Sequence, residues 1–268
     1  MTDIPHALPR EGGLAEVADR CWVVRSSLRD ANVGLVGGAR GLLLVDTHPS
    51  EDETRRVVEH VRRLGAGDVV AVFNTHGHAD HTSGNALLTE QYGGPTPVYA
   101  HEAATAAAPT ESFSSARVVD LGDRQVELVH PGRGHSAGDA VLRLGDADVV
   151  FAGDLVEESS MRGGAPGYGE DCFPMEWPAT LDLLVSLLTP DTVVVPGHGL
   201  PVDKEFVQEQ RSAIGVVAET IRDLASRGVS VRDALAAAEW PYPQERLVHA
   251  VRRGYEYLPR TSKTLPLI

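Results

Sequence analysis

The run VVAVF, Val69–Phe73, constrains the fold more than any other feature of this chain, because of the residues that come directly after it. A short apolar run rich in β-branched residues reads as a buried strand. It leads into NTHGHADHTSGN, Asn74–Asn85, which holds three histidines and an aspartate within six residues. Imidazole is a poor core filler and a very good metal ligand. A chain that ends an inner strand this way has to present the strand's tip to a polar cleft.

The rest of the chain supplies strands and helices in two rounds. LAEVA, CWVVRS, NVGLVG and GLLLVD, separated by polar or glycine-bearing turns, read as an antiparallel meander. SEDETRRVVEHVRRLGAG reads as a helix, with Ser50 as its N-cap, Val57, Val58, Val61 and Leu64 at helical spacing, and Gly65 as its stop. After the histidine stretch come a helix in GNALLTEQYG, a strand in PVYA and a short helix in HEAATAAA. RVVDL, QVELVH, AVLRLG and DVVFAGD form a second strand block, followed by a helix in MEWPATLDLLVSLL that tolerates Pro178 only near its first turn. DTVVVPGHG reads as a strand running into a loop. From Lys204 onward the pattern is helical, through DKEFVQEQRSAIGVVAETIRDLASRG, SVRDALAAAEW and PQERLVHAVRRGYEY. Two packed sheets with helices outside is the layered solution for this order, an α/β (α+β) architecture. Residues 1–203 are expected to form the core and 204–268 a helical extension packed on the same domain, since no linker marks a boundary.

At 268 residues the chain is long enough for a substantial core, and its formal charge of −14 argues against nucleic acid as a substrate. Its two cysteines, Cys21 and Cys172, stand far apart in no CxxC spacing. That excludes a four-cysteine zinc site, argues against a disulfide framework and suits thiols in a reducing compartment. The opening MTDIPHALPREGG has no apolar stretch of the signal-peptide kind, and no run approaches the roughly 20 residues of a membrane span. A cytoplasmic location without membrane contact is the expectation.

Other ligand-type residues recur beside glycine at the ends of later strands. GRGHSAGD carries His135, VVFAGD ends in Asp154 and VVVPGHG holds His198. Glycine beside such a residue lets several strand ends aim side chains into one cleft. With His76, His78, Asp80 and His81 the set comprises five histidines and two aspartates. The four residues from the first stretch overfill one tetrahedral site once anything else contributes, and suit two adjacent cations.

The ordered pattern THGHADH, then His135, Asp154 and His198, resembles the metallo-β-lactamase fold superfamily, from VDT at Val45 to PGHG at Gly199. The resemblance implies a four-layer αββα sandwich of two mixed sheets with a metal site at one edge. It implies a first metal on His76, His78 and His135, a second on Asp80, His81 and His198, and Asp154 bridging both. Asp46 matches a position whose carboxylate orients a ligand histidine. Two zinc ions per chain are the expected cofactors, with iron and manganese left open. A carboxylate at 154 and a histidine at 81 point to the binuclear, broad hydrolase branch, as in glyoxalase II, lactonases and some β-lactamases. Only 43 residues separate Asp154 from His198, where the nuclease branches usually carry a large insertion. The implied activity is hydrolysis of an ester, thioester, lactone or amide of a small molecule by water activated on metal, with Asp80 orienting it or shuttling its proton. The rivals are a mononuclear-iron oxygenase resembling the persulfide dioxygenases and a metal-binding protein that has lost catalysis.

Other residues have plainer readings. His48 in DTHPS reads as a loop histidine, and His6, His60, His101, His130 and His249 follow no ligand pattern. Asp139 reads as a turn residue and Trp177 as a core aromatic. Cys172 is no ligand on spacing. The glycine-rich MRGGAPGYGEDCF, 161–173, reads equally as a substrate lid or a connector, and Arg252, Arg253, Tyr255 and Tyr257 as a solvated helix face. Neither substrate identity nor oligomeric state is legible.

Overall fold

A computed structural model describes residues 13–26, 28–92, 96–159, 161 and 163–258. His6 and the rest of the N-terminal stretch lie outside them. Two mixed sheets pack face to face with helices on their outer sides. The first sheet contains β1 (Leu14–Ala18), β2 (Cys21–Arg25), β3 (Asn32–Gly38), β4 (Gly41–Val45), β5 (Val69–Phe73), β6 (Val98–His101) and β7 (Glu111–Phe113), in that spatial order. The pairs from β1 to β4 are antiparallel, and those from β4 to β7 are parallel. The second sheet has the order β12-β11-β10-β9-β8, from β8 (Ala116–Asp120), β9 (Gln125–Val129), β10 (Val141–Leu144), β11 (Val149–Glu157) and β12 (Val193–His198). Only β11 and β12 pair in parallel there.

Between the sheets lies a core that includes Val23, Val36, Leu43 and Phe73 from one side and Leu128, Leu142, Phe151 and Val195 from the other. Burial of such side chains stabilises the fold by roughly 1.5–3 kcal/mol each. The other face of the first sheet is covered by α1 (Glu51–Leu64), whose Val57, Val58 and Val61 pack on Leu42, Leu44 and Val72. Ser50 caps this helix by accepting from the Glu53 N–H, and Gly65 closes it at φ +66°. On the second sheet's outer face lie α4 (Trp177–Ser186) and α5 (Lys204–Ser226). The short α2 (Ala79–Thr82) and α3 (Asn85–Gln91) follow β5, and α6 (Val248–Tyr257) comes last, with Ala250 and Val251 joining the core under α4 and α5. Among the described residues no helix is long and apolar enough to cross a membrane.

Three local expectations change, and one strand had not been expected. SVRDALAAAEW forms turns and one 3-10 turn at Leu235–Ala237, not a helix. HEAATAAA contracts to a 3-10 turn at Thr105–Ala107. The edge strand β7 has two exposed residues in three, too little apolar pattern to announce itself. Asp154 sits inside β11 rather than at its end, because the strand kinks at Gly153 and continues to Glu157.

Candidate metal centre

All the ligand-type residues occupy one end of the sandwich. β5 delivers Asn74 to its tip, and the chain then bends through His76 into the single turn of α2. That turn places Asp80 and His81 beside His76 and His78. Its geometry is fixed from behind, since the His81 carbonyl accepts from Thr47 N at 2.8 Å and from Asn74 Nδ2 at 2.8 Å. The His76 ring lies 4.7 Å from His78, 4.3 Å from His81 and 4.8 Å from His135, centroid to centroid.

The loop after β9 brings in His135. Asp139 holds it there, its buried carboxylate accepting from Gly134 N at 3.0 Å, Ser136 N at 2.9 Å and Ser136 Oγ at 2.6 Å. Asp139 is therefore more than a turn residue, because it fixes the backbone on both sides of His135. Trp177, a buried core aromatic as read, packs steeply tilted against the His135 ring, 6.0 Å centroid to centroid.

Asp154 enters through the β11 kink. Gly153 takes φ +54°, and a Cβ there would meet Thr75 at 2.5 Å. A Cβ on Gly197 of β12 would collide with Asp154 Oδ1. Two glycines thus clear the space in which this carboxylate turns inward. It lies among three imidazoles, 3.2 Å from His81 Nε2, 3.4 Å from His198 Nε2 and 3.5 Å from His135 Nε2. His198, the last residue of β12, is oriented by donating Nδ1–H to the Arg29 carbonyl at 2.7 Å.

The donors form three groups, each with its ligand atoms within 4.8 Å of one another: His76, His78 and His135; His76, His81 and Asp154; Asp80, His81 and His198. Asp46 sits behind them, accepting from His81 Nδ1 at 2.9 Å and from Thr75 N and Oγ1 at 2.7 and 2.8 Å. This fixes the tautomer of His81 so that Nε2 faces inward.

Two side chains escaped the sequence reading. Asp171, from the glycine-rich loop, lies 3.0 Å from His78 Nε2, while His78 Nδ1 faces His135 Nε2 at 2.8 Å. Arg29 reaches Asp80 Oδ2 at 3.3 Å from a turn in which Arg29 and Asp30 take φ +59° and +61°. Neither residue belongs to a ligand motif. The one signal was an acid inside a glycine-rich loop that comes after a ligand strand.

A metal fits this donor set. His76 Nε2 is buried without a hydrogen-bond partner, and such a group costs about 1–3 kcal/mol if nothing satisfies it. Imidazole nitrogens face each other at 2.8 Å for His135–His78 and at 3.3 Å for His81–His198. The second spacing is the edge of a tetrahedron whose metal–nitrogen bonds are about 2.0–2.1 Å. The electrostatics agree. Burial holds His76 well below the usual imidazole range and takes His135 down to about 4. Burial also opposes the charged form of His81, but Asp154 and Asp46 beside it hold it well above that range. For His198 burial is likewise outweighed by Asp154, and its affinity for a proton is raised. Asp154 itself, against the burial penalty, is held well below the carboxylate range by His198, His81 and His135. Without metal the cluster keeps its charge balance with protons, which a divalent ion displaces.

His48 lies outside the set. It is a loop histidine, as read, but a buried one, both its ring nitrogens lack partners, and burial with His81 nearby takes it down to about 3. Cys21 and Cys172 are free and buried. The metal end opens into a cavity of about 600 Å³ lined by His78, Asp80, His135 and Asp154 on its floor and by Ala165–Gly169 of the glycine-rich loop. Arg29, Pro49 and the 245–249 stretch complete the walls.

Known proteins resemble this chain. The family model for the Metallo-beta-lactamase superfamily matches residues 27–198. The Metallo-beta-lactamase type 2 of Bacillus cereus is 28% identical over 170 residues, covering 60% of this chain and 64% of that protein. The Homo sapiens Acyl-coenzyme A thioesterase MBLAC2 is 29% identical over 204 residues, covering 66% of this chain and 71% of that protein. The chain thus spans just under two thirds of the Bacillus relative. A solved structure of a metallo-beta-lactamase from Pontibacter korlensis superposes with a TM-score of 0.67 at 22% identity, over 76% of this chain and 98% of that one. At that identity the likeness establishes the fold.

Proposed function

The chain belongs to the Metallo-beta-lactamase superfamily, and from that premise we propose that it is a binuclear metal hydrolase that cleaves an ester, thioester, lactone or amide of a small molecule. The observation that carries this reading is the position of Asp154, one carboxylate facing His81, His135 and His198 at 3.2–3.5 Å. A carboxylate so placed would be able to serve two ions at once. His76, His78 and His135 would hold one, and Asp80, His81 and His198 the other, with zinc the ion that suits the histidine-rich set.

Ions bound there supply Lewis-acid chemistry, making water nucleophilic near neutral pH and polarising the substrate carbonyl. The protein's own groups do the rest. Asp80, on the cavity floor, orients the attacking water and relays its proton. Asp46 keeps the His81 ring in one tautomer, and Asp171 does the same for His78. Asp139 fixes the loop that carries His135. Ala165, Gly167 and Gly169 leave room for an acyl group above the floor, beside Pro166 and Tyr168. The names of two relatives, a β-lactamase and an acyl-coenzyme A thioesterase, span the proposed range of bonds. The test is a chromogenic panel of lactone, thioester, ester and β-lactam substrates on metal-quantified protein, with and without chelator. Chelator-sensitive turnover of at least one member is expected. A metal-loaded protein inert towards all of them would overturn the reading.

A further inference from the structure

Asp171 is a weak hold on His78 taken alone. Its side chain is 55% exposed, and it stands in a glycine-rich loop. An exposed carboxylate orients an imidazole only where its backbone is held still, since side-chain and loop entropy otherwise oppose the contact. The fold holds that backbone one residue on. Cys172 and Phe173 share a planar peptide unit, and both of its polar ends are bound. The Phe173 N–H donates to the Gly134 carbonyl at 2.7 Å, next to His135. The Cys172 carbonyl accepts from Arg253 Nε at 3.0 Å. One peptide plane thus ties the loop behind His78 to the loop that carries His135, and Arg253 reaches it from α6, beyond the residues that the family model matches.

The sequence reads Arg253 as part of a solvated helix face, and the structure corrects that. Its side chain is 18% exposed. Nη2 donates to the Tyr257 hydroxyl at 2.8 Å, and Nη1 lies 3.4 Å from a Glu256 carboxylate oxygen. The guanidinium lies 5.3 Å from the centre of the buried Phe173 ring, which has Arg133 at 4.4 Å. Every nitrogen of the fork is engaged within the protein, so the group is a clamp and not a ligand site. The helix behind it is firmly seated. Ala250 and Val251 are in the core, and a Cβ on Gly254 would come within 2.7 Å of Ile221 on α5.

We propose that Arg253 is a positioning residue for the metal centre: from the helical extension it fixes the Cys172–Phe173 peptide, and through it the Asp171 contact that orients His78. The inference rests on the metal reading of the donor set, not on which bond is cleaved.

Zinc affinity, read by chelator competition on the full chain, tests it. Removing the partner behind a ligand histidine costs about 10–100-fold in metal affinity, and removing a group that acts on that partner should cost less, about five- to tenfold. Arg253→Met should weaken zinc binding by that factor. Arg253→Lys, which keeps a donor, should recover part of it, and Arg252→Met, on the exposed face of the same helix, should change nothing. In the Asp171→Asn protein, Arg253→Met should cost less than about twofold more, because the contact it serves is already gone. If the methionine variant does not fold, Arg253→Gln makes the same comparisons. Unchanged affinity on replacing Arg253, an equal loss in Arg252→Met, or a full further loss in the Asp171→Asn background would overturn the inference. An affinity that depends on Arg253 in a protein that hydrolyses nothing would leave it standing and sink the hydrolase reading.

Discussion

The two ends of the sandwich bury charge in opposite ways. The strands that finish at the metal end start at the other, where the turns beside β2, β3, β9 and β10 surround Arg124. Its side chain is 1% exposed and each of its nitrogens has a partner. Nε donates to Asp146 at 2.8 Å and Nη2 to the Asp19 carboxylate at 3.0 Å, while Nη1 reaches the carbonyls of Asp19 at 2.9 Å and Gly37 at 3.4 Å. Cys21 beside it is pushed up to about 12 by burial and stays a thiol. That end is a closed polar network, complete without any ligand. The metal end has comparable burial, but imidazole nitrogens face one another and His76 Nε2 has no hydrogen-bond partner. Satisfied buried polar groups hold a structure together, whereas unsatisfied ones that converge mark where a ligand completes it.

Substitutions at the two ends should therefore separate activity from stability. The largest effect is expected from Asp154→Ala, which should abolish turnover and at least one metal equivalent while far-ultraviolet circular dichroism stays that of the wild type. Near-normal rates in this variant would dissolve the comparison. Arg124→Met should do the reverse. It strips the buried bond to the Gly37 carbonyl and the part-buried one to the Asp19 carbonyl, at about 1–3 kcal/mol for the buried group, so the thermal midpoint should fall by roughly 3–8 °C. Turnover per metal-loaded molecule should hold.

Asp171→Asn sharpens the contrast from within the metal end. It leaves the core untouched and removes the carboxylate behind His78, so metal affinity or activity should fall about 10–100-fold with little change in melting temperature. A chelator competition assay reads the affinity directly.

The smallest expected effect is the pH dependence of the metal-free protein. Asp154 and Asp46 raise the proton affinity of His81 against the burial penalty, and Asp154 does the same for His198. A group whose folded pKa is raised stabilises the fold fully below its unfolded value, about 6.5 for histidine, and loses that contribution as pH rises through the folded value. Metal-free protein should therefore lose stability as pH climbs above about 6.5, while metal-loaded protein does not. The gap between their melting temperatures should widen with pH, and a constant gap would mean that these histidines carry no proton for the metal to displace.

Legibility in the sequence divides between local and assembled features. Strand alternation, the Ser50 cap and the Gly65 stop are local signals, and the structure has the elements where they point. The ligand residues were legible because imidazoles crowded after an apolar strand have few other uses. Asp171 and Arg29 were not, because an isolated acid or arginine in a loop carries no pattern until the fold brings it to its partner. SVRDALAAAEW misled for the opposite reason. Alanine favours helix locally, but Pro241 and Pro243 close the stretch and among its residues only Ala234 is fully buried, too little packing to stabilise a short helix. Asp154 looked like the end of a strand because glycine before an aspartate resembles a turn. The kink at Gly153 re-aims the strand without ending it.

The count of ions per chain tests the account most directly. Elemental analysis of the purified protein after zinc loading should give about two ions, falling to about one when Asp80 and His198 are both replaced by Ala, with the group formed by His76, His78 and His135 still filled. A single iron in the wild type, or no retained metal, would contradict it.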